Sequence, residues 1–85
     1  MKTLKLTAKD FKDTDSYYKE YCGTENVADF DGSIEIEANL GWVKFLSLKV
    51  TGSIVAKAGS GIKAGEGIEA GSGIEAGWGI KAGEG

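Results

Sequence analysis

The stretch AGSGIKAGEGIEAGSGIEAGWGIKAGEG, residues 58–85, decides the fold of this chain. Its unit is six residues long, Ile-[Lys/Glu]-Ala-Gly-[Ser/Glu/Trp]-Gly, and it begins at Ile62, Ile68, Ile74 and Ile80. Ile and Ala share one face of a short strand, and the charged residue between them lies on the other face. The Gly-x-Gly that follows permits the positive φ of a sharp corner. One such unit buries too little apolar surface to stand alone, so the repeat predicts stacked coils, a mainly β fold of the β-solenoid (β-helix) type.

The alternation of apolar and polar residues extends upstream of the repeat, to residue 34. Odd-numbered positions are mostly polar, with Val43, Phe45 and Val55 as exceptions. Hairpin loops of odd length would break this parity, whereas coils built from equal, even-numbered steps keep it. We therefore expect the even-numbered residues to face inward: Ile34, Ile36, Ala38, Leu40, Trp42, Lys44, Leu46, Leu48, Val50, Gly52, Ile54, Ala56, Ala58, Ile62, Ala64, Ile68, Ala70, Ile74, Ala76, Ile80 and Ala82.

Internal spacings favour three six-residue units per coil. GIKAGEG at 61–67 recurs at 79–85, a step of 18, and Trp42 and Trp78 are two such steps apart. A two-unit coil of 12 residues fits the tryptophan spacing equally and would stack Lys63 on Glu75, whereas a step of 18 stacks Lys63 on Lys81. Surface pairs are worth only about 0–1 kcal/mol, so charge does not decide the matter. A two-unit coil leaves a thin interior, and we prefer the triangular 18-residue coil.

Residues 1–31 differ in composition from the rest of the chain and predict a small α+β N-terminal cap. The solenoid is expected over 32–85, with near-perfect units over 54–85, and the two parts are expected to form one cooperative unit. KTLKL at 2–6 predicts a strand, and Thr7 is placed to cap a short turn that runs to Phe11.

A helix is expected from Asp15 or Ser16 to Cys22, ended by Gly23. It would place Tyr18, Tyr21 and a buried Cys22 on one side. We interpret YYKEY at 17–21 as an aromatic cover over a small core rather than as a stacking platform for nucleic-acid bases.

The repeat over Ile62–Gly85 resembles the hexapeptide-repeat and bactofilin-like β-helices, and the likeness covers roughly residues 34–85. The resemblance implies coils of three units and, for the bactofilin-like proteins, polymerisation into filaments. It does not imply acyltransferase activity. Those enzymes favour a small residue two places before the aliphatic one, where this chain has Glu66, Ser72 or Trp78, and they use a histidine, which this chain lacks.

The composition argues against catalysis and cofactor binding. With no histidine and one cysteine, the chain offers neither an activated nucleophile nor a zinc ligand set. DFDGS at 29–33 fails as a calcium loop because Ile34 and Leu40 stand where Gly and Glu are required, so we expect a turn there. Glu35 and Glu37 are interpreted as a solvated strand face. We predict a protein that is not an enzyme and has no catalytic, cofactor-binding or metal-binding residues.

Charge and hydropathy limit the kinds of partner that the protein can have. The formal net charge is −3, and all ten basic residues are Lys, which argues against nucleic acid as a partner. No small-molecule substrate is expected. No segment reaches the roughly 18 apolar residues of a membrane span, and no signal sequence is evident, so we expect a cytoplasmic protein.

The most regular units come last in the chain, and open β-coils are templates for further strands. We therefore expect a structural or self-assembling scaffold whose C-terminal coil is covered by another copy or continued by further repeats. The predicted association residues are Glu66, Trp78, Ile80, Ala82 and Glu84.

Two alternatives stay open at this point. The first is a protein-interaction module or phage-type inhibitor, in which regularly spaced carboxylates at Glu66, Glu69, Glu75 and Glu84 bind a basic partner. The second is a truncated or designed repeat array. Salt-sensitive capture of a basic protein would favour the first, and salt-independent self-association would favour the scaffold.

Overall fold

The computed structural model describes residues 2–82 and is dominated by strands. In that part of the chain the elements are, in order, β1 (Lys2–Leu6), a 3-10 helix (Ala8–Asp10), β2 (Phe11–Asp13), β3 (Tyr18–Tyr21), a second 3-10 helix (Val27–Asp29), β4 (Gly32–Ile36), β5 (Gly41–Val50), β6 (Ser53–Ala56), β7 (Ser60–Ala70), β8 (Gly73–Ala76) and β9 (Gly79–Ala82). The expectation of a mainly β fold is confirmed.

The strands form a β-solenoid of about three turns. One sheet has the order β1-β4-β6-β8 and the other the order β2-β3-β5-β7-β9. Neighbouring strands are parallel in both sheets, except for the antiparallel pair β2–β3. From β4 onward the chain alternates between the two sheets, and each return lays a strand beside its predecessor. This is the stacking that the repeat predicts.

Each coil has three sides. Side one is the sheet β1-β4-β6-β8. The long strands β5 and β7 cover two sides, because their pairing is irregular between Phe45 and Ser47, where Leu46 is 71% exposed at a corner. Side two comprises β3, residues 41–45 of β5, residues 60–64 of β7, and β9. Side three comprises residues 47–50 of β5 and 67–70 of β7.

The length of a coil varies along the solenoid. Ile62 pairs with Ile80, a step of 18, so the coil of three units is found where the repeat is regular. Val43 pairs with Ile62 at a step of 19, and side one stacks Ile54 on Ile34 at a step of 20. The longer steps reflect extra residues at the corners of the earlier coils. Trp42 consequently aligns with Gly61 and Gly79, and not with Trp78 as the spacing of 36 implied.

The core is an aliphatic column with two buried aromatic rings, Phe11 and Phe45. The even-numbered prediction is confirmed from Ile34 to Leu40 and again from Leu48 to Ala64, except at Ala58, which is exposed. Between these segments it is wrong. Val43 and Phe45 are buried, while Trp42, Lys44 and Leu46 point outward.

Two local features explain the reversed segment. The corner before β5 contains Asn39 at φ 64° and Gly41 at φ 76°, and it shifts the alternation by one residue. The irregularity between Phe45 and Ser47 shifts it back.

The corner between sides one and two is held by Ser60, which has no solvent exposure. Its hydroxyl donates to the carbonyl of Glu37 at 2.6 Å and accepts from the amide of Leu40 at 3.0 Å. Gly59 has φ 84° and lies against Asn39 of the preceding coil, where a Cβ atom would collide with the asparagine. The Gly-Ser-Gly at 59–61 is thus required by the packing of successive corners.

The helix expected from residues 15 or 16 to Cys22 is wrong. Tyr18–Tyr21 forms β3, which lies between β2 and β5. The open edge of β5 provides backbone partners, and aromatic residues fit a half-buried strand well. Tyr18 and Tyr21 therefore lie on opposite faces, and Cys22 is exposed rather than buried.

Side chains cover the core at the N-terminal end of the solenoid, although within residues 2–82 the outer edge of β1 is free. Buried Leu6 of β1 covers the column on side one, and Phe11 packs edge-to-face on Phe45 with ring centroids 5.8 Å apart. On side three, Val27 is buried and Phe30 bridges to Val50. The expected strand at 2–6 is confirmed, as is the turn after Thr7. The segment 29–33, expected as a turn, contains the end of the second 3-10 helix, the bridge at Phe30 and the start of β4.

Candidate functional site

The C-terminal end of the solenoid is open within residues 2–82. There, β8 pairs only with β6, and β9 pairs only with β7. Ile62 has no solvent exposure, but Ile80, stacked on it, is 41% exposed. Ile68 and Ile74 are partly buried. We call Ile68, Ile74 and Ile80, with the free edges of β8 and β9, the open end.

The predicted association residues do not all lie together. Ile80 belongs to the open end, and the backbone of Ala82 continues the same strand opposite Ala64. Trp78 is at the corner just before β9, and Glu66 is exposed at the corner within β7. Glu84 lies outside the described residues.

Trp78 turns away from the open end toward earlier coils. Its amide donates to the carbonyl of Ser60 at 3.0 Å, and its ring meets that of Trp42 edge-to-face, with centroids 6.2 Å apart. The ring also lies over Gly41, where a Cβ atom would be 3.7 Å away. The indole is nevertheless 56% exposed. It therefore serves both as a cover for a corner and as an accessible aromatic surface.

A second feature occupies the outer surface of side two. Tyr18, Trp42, Gly61 and Gly79 are in register across four strands. The Trp42 ring lies flat on Gly61, where a Cβ atom would be 2.7 Å from the indole. The lack of a side chain at Gly61 thus makes room for the ring.

Two residues further along the same strands, a line of charge runs parallel to this aromatic column. Lys44, Lys63 and Lys81 are in register, with Glu20 at the end nearest the N-terminal cap. We call the surface formed by these three lysines together with the four neighbouring rings the lysine-aromatic face; the rings are Tyr17, Tyr18, Trp42 and Trp78.

The three lysines contact rings. The Nζ atom of Lys44 is 5.1 Å from the centroid of Tyr18, that of Lys63 is 5.3 Å from Tyr17, and that of Lys81 is 5.3 Å from Trp42. Among the described residues, none of the three forms an ion pair with a carboxylate; the lysines that do are Lys19, Lys49 and Lys57.

The positive charges of Lys44, Lys63 and Lys81 affect the neighbouring phenol of Tyr17. Lys63 Nζ donates to the Tyr17 hydroxyl at 2.8 Å, and this hydrogen bond lowers the pKa of Tyr17 because it stabilises the phenolate. The positive charges of Lys63, Lys81 and Lys44 act in the same direction. Three ammonium groups thus share one surface, and within residues 2–82 none of them is paired with a carboxylate.

Charges elsewhere on the repeat are sorted by side. Glu69 lies on side three opposite Lys49, with a 3.8 Å separation between Nζ and carboxylate. Glu75 lies on side one opposite Val55, and Glu66 is at a corner. The carboxylates that the acidic-rod alternative invokes therefore face different directions as far as they are described.

The lysine-aromatic face was not predicted from the sequence. Part of this face could have been found from the order Lys63, Glu69, Glu75, Lys81. Lys63 and Lys81 are 18 residues apart, so a coil of three units places them on the same side of the solenoid. Recognising Lys44 as the third member required the step of 19 between β5 and β7, which the repeat does not reveal.

Other site types have little support in this structure. A cleft of about 360 Å³ between β3 and the β5 corner is open to solvent and lined by Tyr21, Val27, Phe45 and flanking polar residues. Between residues 2 and 82, no group of three or more His, Cys, Asp or Glu side chains is arranged to hold a metal ion. No helix in that range is long and apolar enough to cross a membrane.

Comparisons of the chain with protein-family models, curated proteins and solved structures found no match. The family resemblance of the repeat therefore stays a prediction, and function has to be argued from the open end and the lysine-aromatic face.

Proposed function

We propose that this protein is a non-enzymatic, self-assembling β-solenoid scaffold whose open end is covered by a second copy of the chain. The observation that carries the proposal is the exposure of Ile80, 41%, directly above Ile62, which has none. The aliphatic side chains of the core are exposed to water at this end, and a partner that covers them stabilises the folded protein.

A second copy is the occupant that fits this end best. The free edges of β8 and β9 present unpaired backbone donors and acceptors, and strand addition satisfies them. Ile74 and Ile80 stand at equivalent positions of the six-residue unit, and another open end offers the same side chains at the same spacing. Repeat proteins cover such faces with a terminal layer or a neighbour.

The closed N-terminal end favours contact between two open ends. Phe11, Val27 and Leu6 are buried there, so Ile80 of another molecule would meet a covered column rather than an exposed one. Head-to-tail stacking would therefore remove fewer apolar side chains from water and would extend indefinitely, whereas contact between like ends is isologous and closes as a dimer. The scaffold we propose is therefore built from dimers.

The dimer is tested by measuring mass in solution, using light scattering over a dilution series at low and high salt. We expect a reversible monomer–dimer equilibrium that salt hardly alters, because the contact is apolar. Ile80→Ser should shift the midpoint to at least tenfold higher concentration. Leu46→Ser is the matched control, because Leu46 is also an exposed aliphatic residue but lies at a corner away from the end.

Three results would count against the proposal. These are a monomer at every concentration, an association that Leu46→Ser weakens as much as Ile80→Ser, and a mass that keeps rising beyond the dimer. The last result would favour polar filaments instead.

A further inference from the structure

The lysine-aromatic face combines positive charge with exposed aromatic rings, and the proposed dimer contact does not involve it. We infer that it binds single-stranded nucleic acid without sequence preference, with phosphates along the line of lysines and bases against the neighbouring rings. This departs from the expectation, drawn from the composition, that nucleic acid is not a partner. The inference rests on charge sorting, on the spacing of the two columns and on the exposure of the rings.

Charge sorting is the first argument. Like charges directly opposite each other on neighbouring strands are destabilising, and Lys63 and Lys81 are such a pair, with Lys44 in line beyond them. The same unit position carries Glu in Glu69 and Glu75, so glutamate is compatible with the repeat. Alternating signs would remove this repulsion, which the contacts of the lysines with the rings offset in part. A local conflict of this kind is expected where a surface serves a ligand.

Spacing is the second argument. Neighbouring strands are about 4.8 Å apart, so three lysines form a line of roughly 10 Å along the solenoid axis. The column that contains Tyr18 and Trp42 is two residues away along each strand, about 6.6 Å. Gly61 and Gly79 leave room beside them for the Trp42 ring. A nucleotide chain laid along the axis can thus place its phosphates over one column and its bases over the other.

Exposure of the rings is the third argument. Tyr17 is 63% and Trp78 56% exposed, while Tyr18 and Trp42 are partly buried beside them. Stacking of bases on such rings is tolerant of sequence because every base has a π face. The lysines that now lie over Tyr18 and Trp42 are flexible, and they can swing toward phosphates and free those rings.

Single strands suit this surface better than duplexes or other polyanions. Reading of duplex sequence relies on bidentate groups such as arginine, and the chain has none, whereas lysine neutralises phosphate as a point charge. The pairing of charge with flat aromatic surface matches a ligand whose anionic backbone carries flat bases. A polysaccharide sulfate would use the charge alone.

The two tryptophans of the protein both belong to this face, so the protein carries its own reporter. We would titrate it with a short oligothymidylate and follow tryptophan emission, and in parallel the anisotropy of a labelled oligothymidylate. Quenching by stacked bases is expected. With three phosphate contacts, the logarithm of the binding constant should fall with the logarithm of salt concentration at a slope of about −2.

Variants locate the site. Lys63→Ser with Lys81→Ser should weaken binding at least tenfold and reduce the magnitude of the slope by about 1.4, since two phosphate contacts are lost. Lys49→Ser with Lys57→Ser is the matched control, because it removes the same charge from sides three and one. Circular dichroism checks that each variant is folded.

The outcomes are distinguishable. Unchanged tryptophan emission with no anisotropy change overturns the inference, as does equal loss of binding in the control variant. If dextran sulfate competes as strongly as oligothymidylate and does so without quenching, the face is a general polyanion surface and the nucleic-acid assignment is wrong.

Discussion

At the scale of single residues, Ser60 illustrates how one side chain fixes a corner. It is fully buried and makes two hydrogen bonds to backbone groups of the preceding coil, at Glu37 and Leu40. Ser60→Ala would leave a buried amide and a part-buried carbonyl short of a partner. We expect a loss of about 1–3 kcal/mol in the free energy of unfolding, measured by urea denaturation.

Ser72 provides the control for this prediction, because it occupies the same position of the six-residue unit but is exposed. Ser72→Ala should change stability by less than about 0.5 kcal/mol. Equal effects of the two substitutions would mean that Ser60 contributes nothing special to the corner.

The ion pair between Glu35 and Lys57, 2.7 Å apart, predicts a pH dependence. The hydrogen bond from Lys57 and its charge lower the pKa of Glu35 below 4.5, and the same contacts raise the pKa of Lys57 above 10.5. A lowered carboxyl pKa gives stability that is present above pH 4.5 and is lost as pH falls through the folded-state value. A raised lysine pKa gives stability that is present below pH 10.5 and is lost as pH rises through the folded-state value.

The measurement is thermal unfolding of the wild type and of Glu35→Gln over a pH series. The wild type should be the more stable protein between pH 4.5 and 10.5, and the difference should fade on both sides of that window. A difference that does not vary with pH would rule out the ion pair as its source. Because Lys57 is exposed and Glu35 is partly exposed, we expect a small effect.

Sequence reasoning succeeded at this scale where the period was unbroken. Ile34 and Ile54 were expected inside and are buried. It failed for Trp42 and Lys44, because a left-handed Asn39 shifts the alternation and nothing in the alternation announces that conformation. Cys22 was expected to be buried but is exposed, because the helix that would have buried it does not form.

At the scale of elements, the inward-facing side chains become more exposed along each side of the solenoid toward the open end. Ile54 in β6 lies between two coils and has no exposure, whereas Ile74 in β8 is covered on one side and only partly buried. Ile54→Ala should therefore cost about 2–5 kcal/mol. Ile74→Ala should cost about 1–2 kcal/mol in the monomer.

Urea unfolding at two protein concentrations tests this gradient. The cost of Ile74→Ala should rise with concentration if a second copy covers β8, since association stabilises the folded state by mass action. The cost of Ile54→Ala should differ little between the two concentrations. Equal costs for the two substitutions would contradict the gradient of cover.

The elements of the repeat could be predicted because one six-residue unit encodes both strand and corner. The element that failed was the helix expected to end at Cys22, since three closely spaced tyrosines fit a helix face as well as a strand. The strand forms because residues 18–20 pair with the edge of β5, and this edge is a feature of the folded solenoid that the local sequence does not reveal. Coil length was similarly hidden, because steps of 19 and 20 depend on corners outside the regular units.

At the scale of the whole molecule, the two ends of the solenoid differ in kind. Around the N-terminal end, aromatic and aliphatic side chains from residues 2–30 close the column, while at the other end Ile80 and its neighbours remain open. The lysine-aromatic face runs along the side and lies apart from this end contact. The order of glycine-rich units indicated an open end, but whether the other end was closed could not be read from residues 1–31 without the pairing of β2, β3 and β5.

The most direct test of the end-to-end dimer is hydrogen–deuterium exchange at two protein concentrations, below and above the dimer midpoint. The account predicts that amides in the segment 73–82, which holds β8 and β9, become protected at the higher concentration. Amides of β1, at the closed end, should exchange equally at both. Protection of β1 instead, or an unchanged segment 73–82 in a sample shown by mass to be dimeric, would contradict the account.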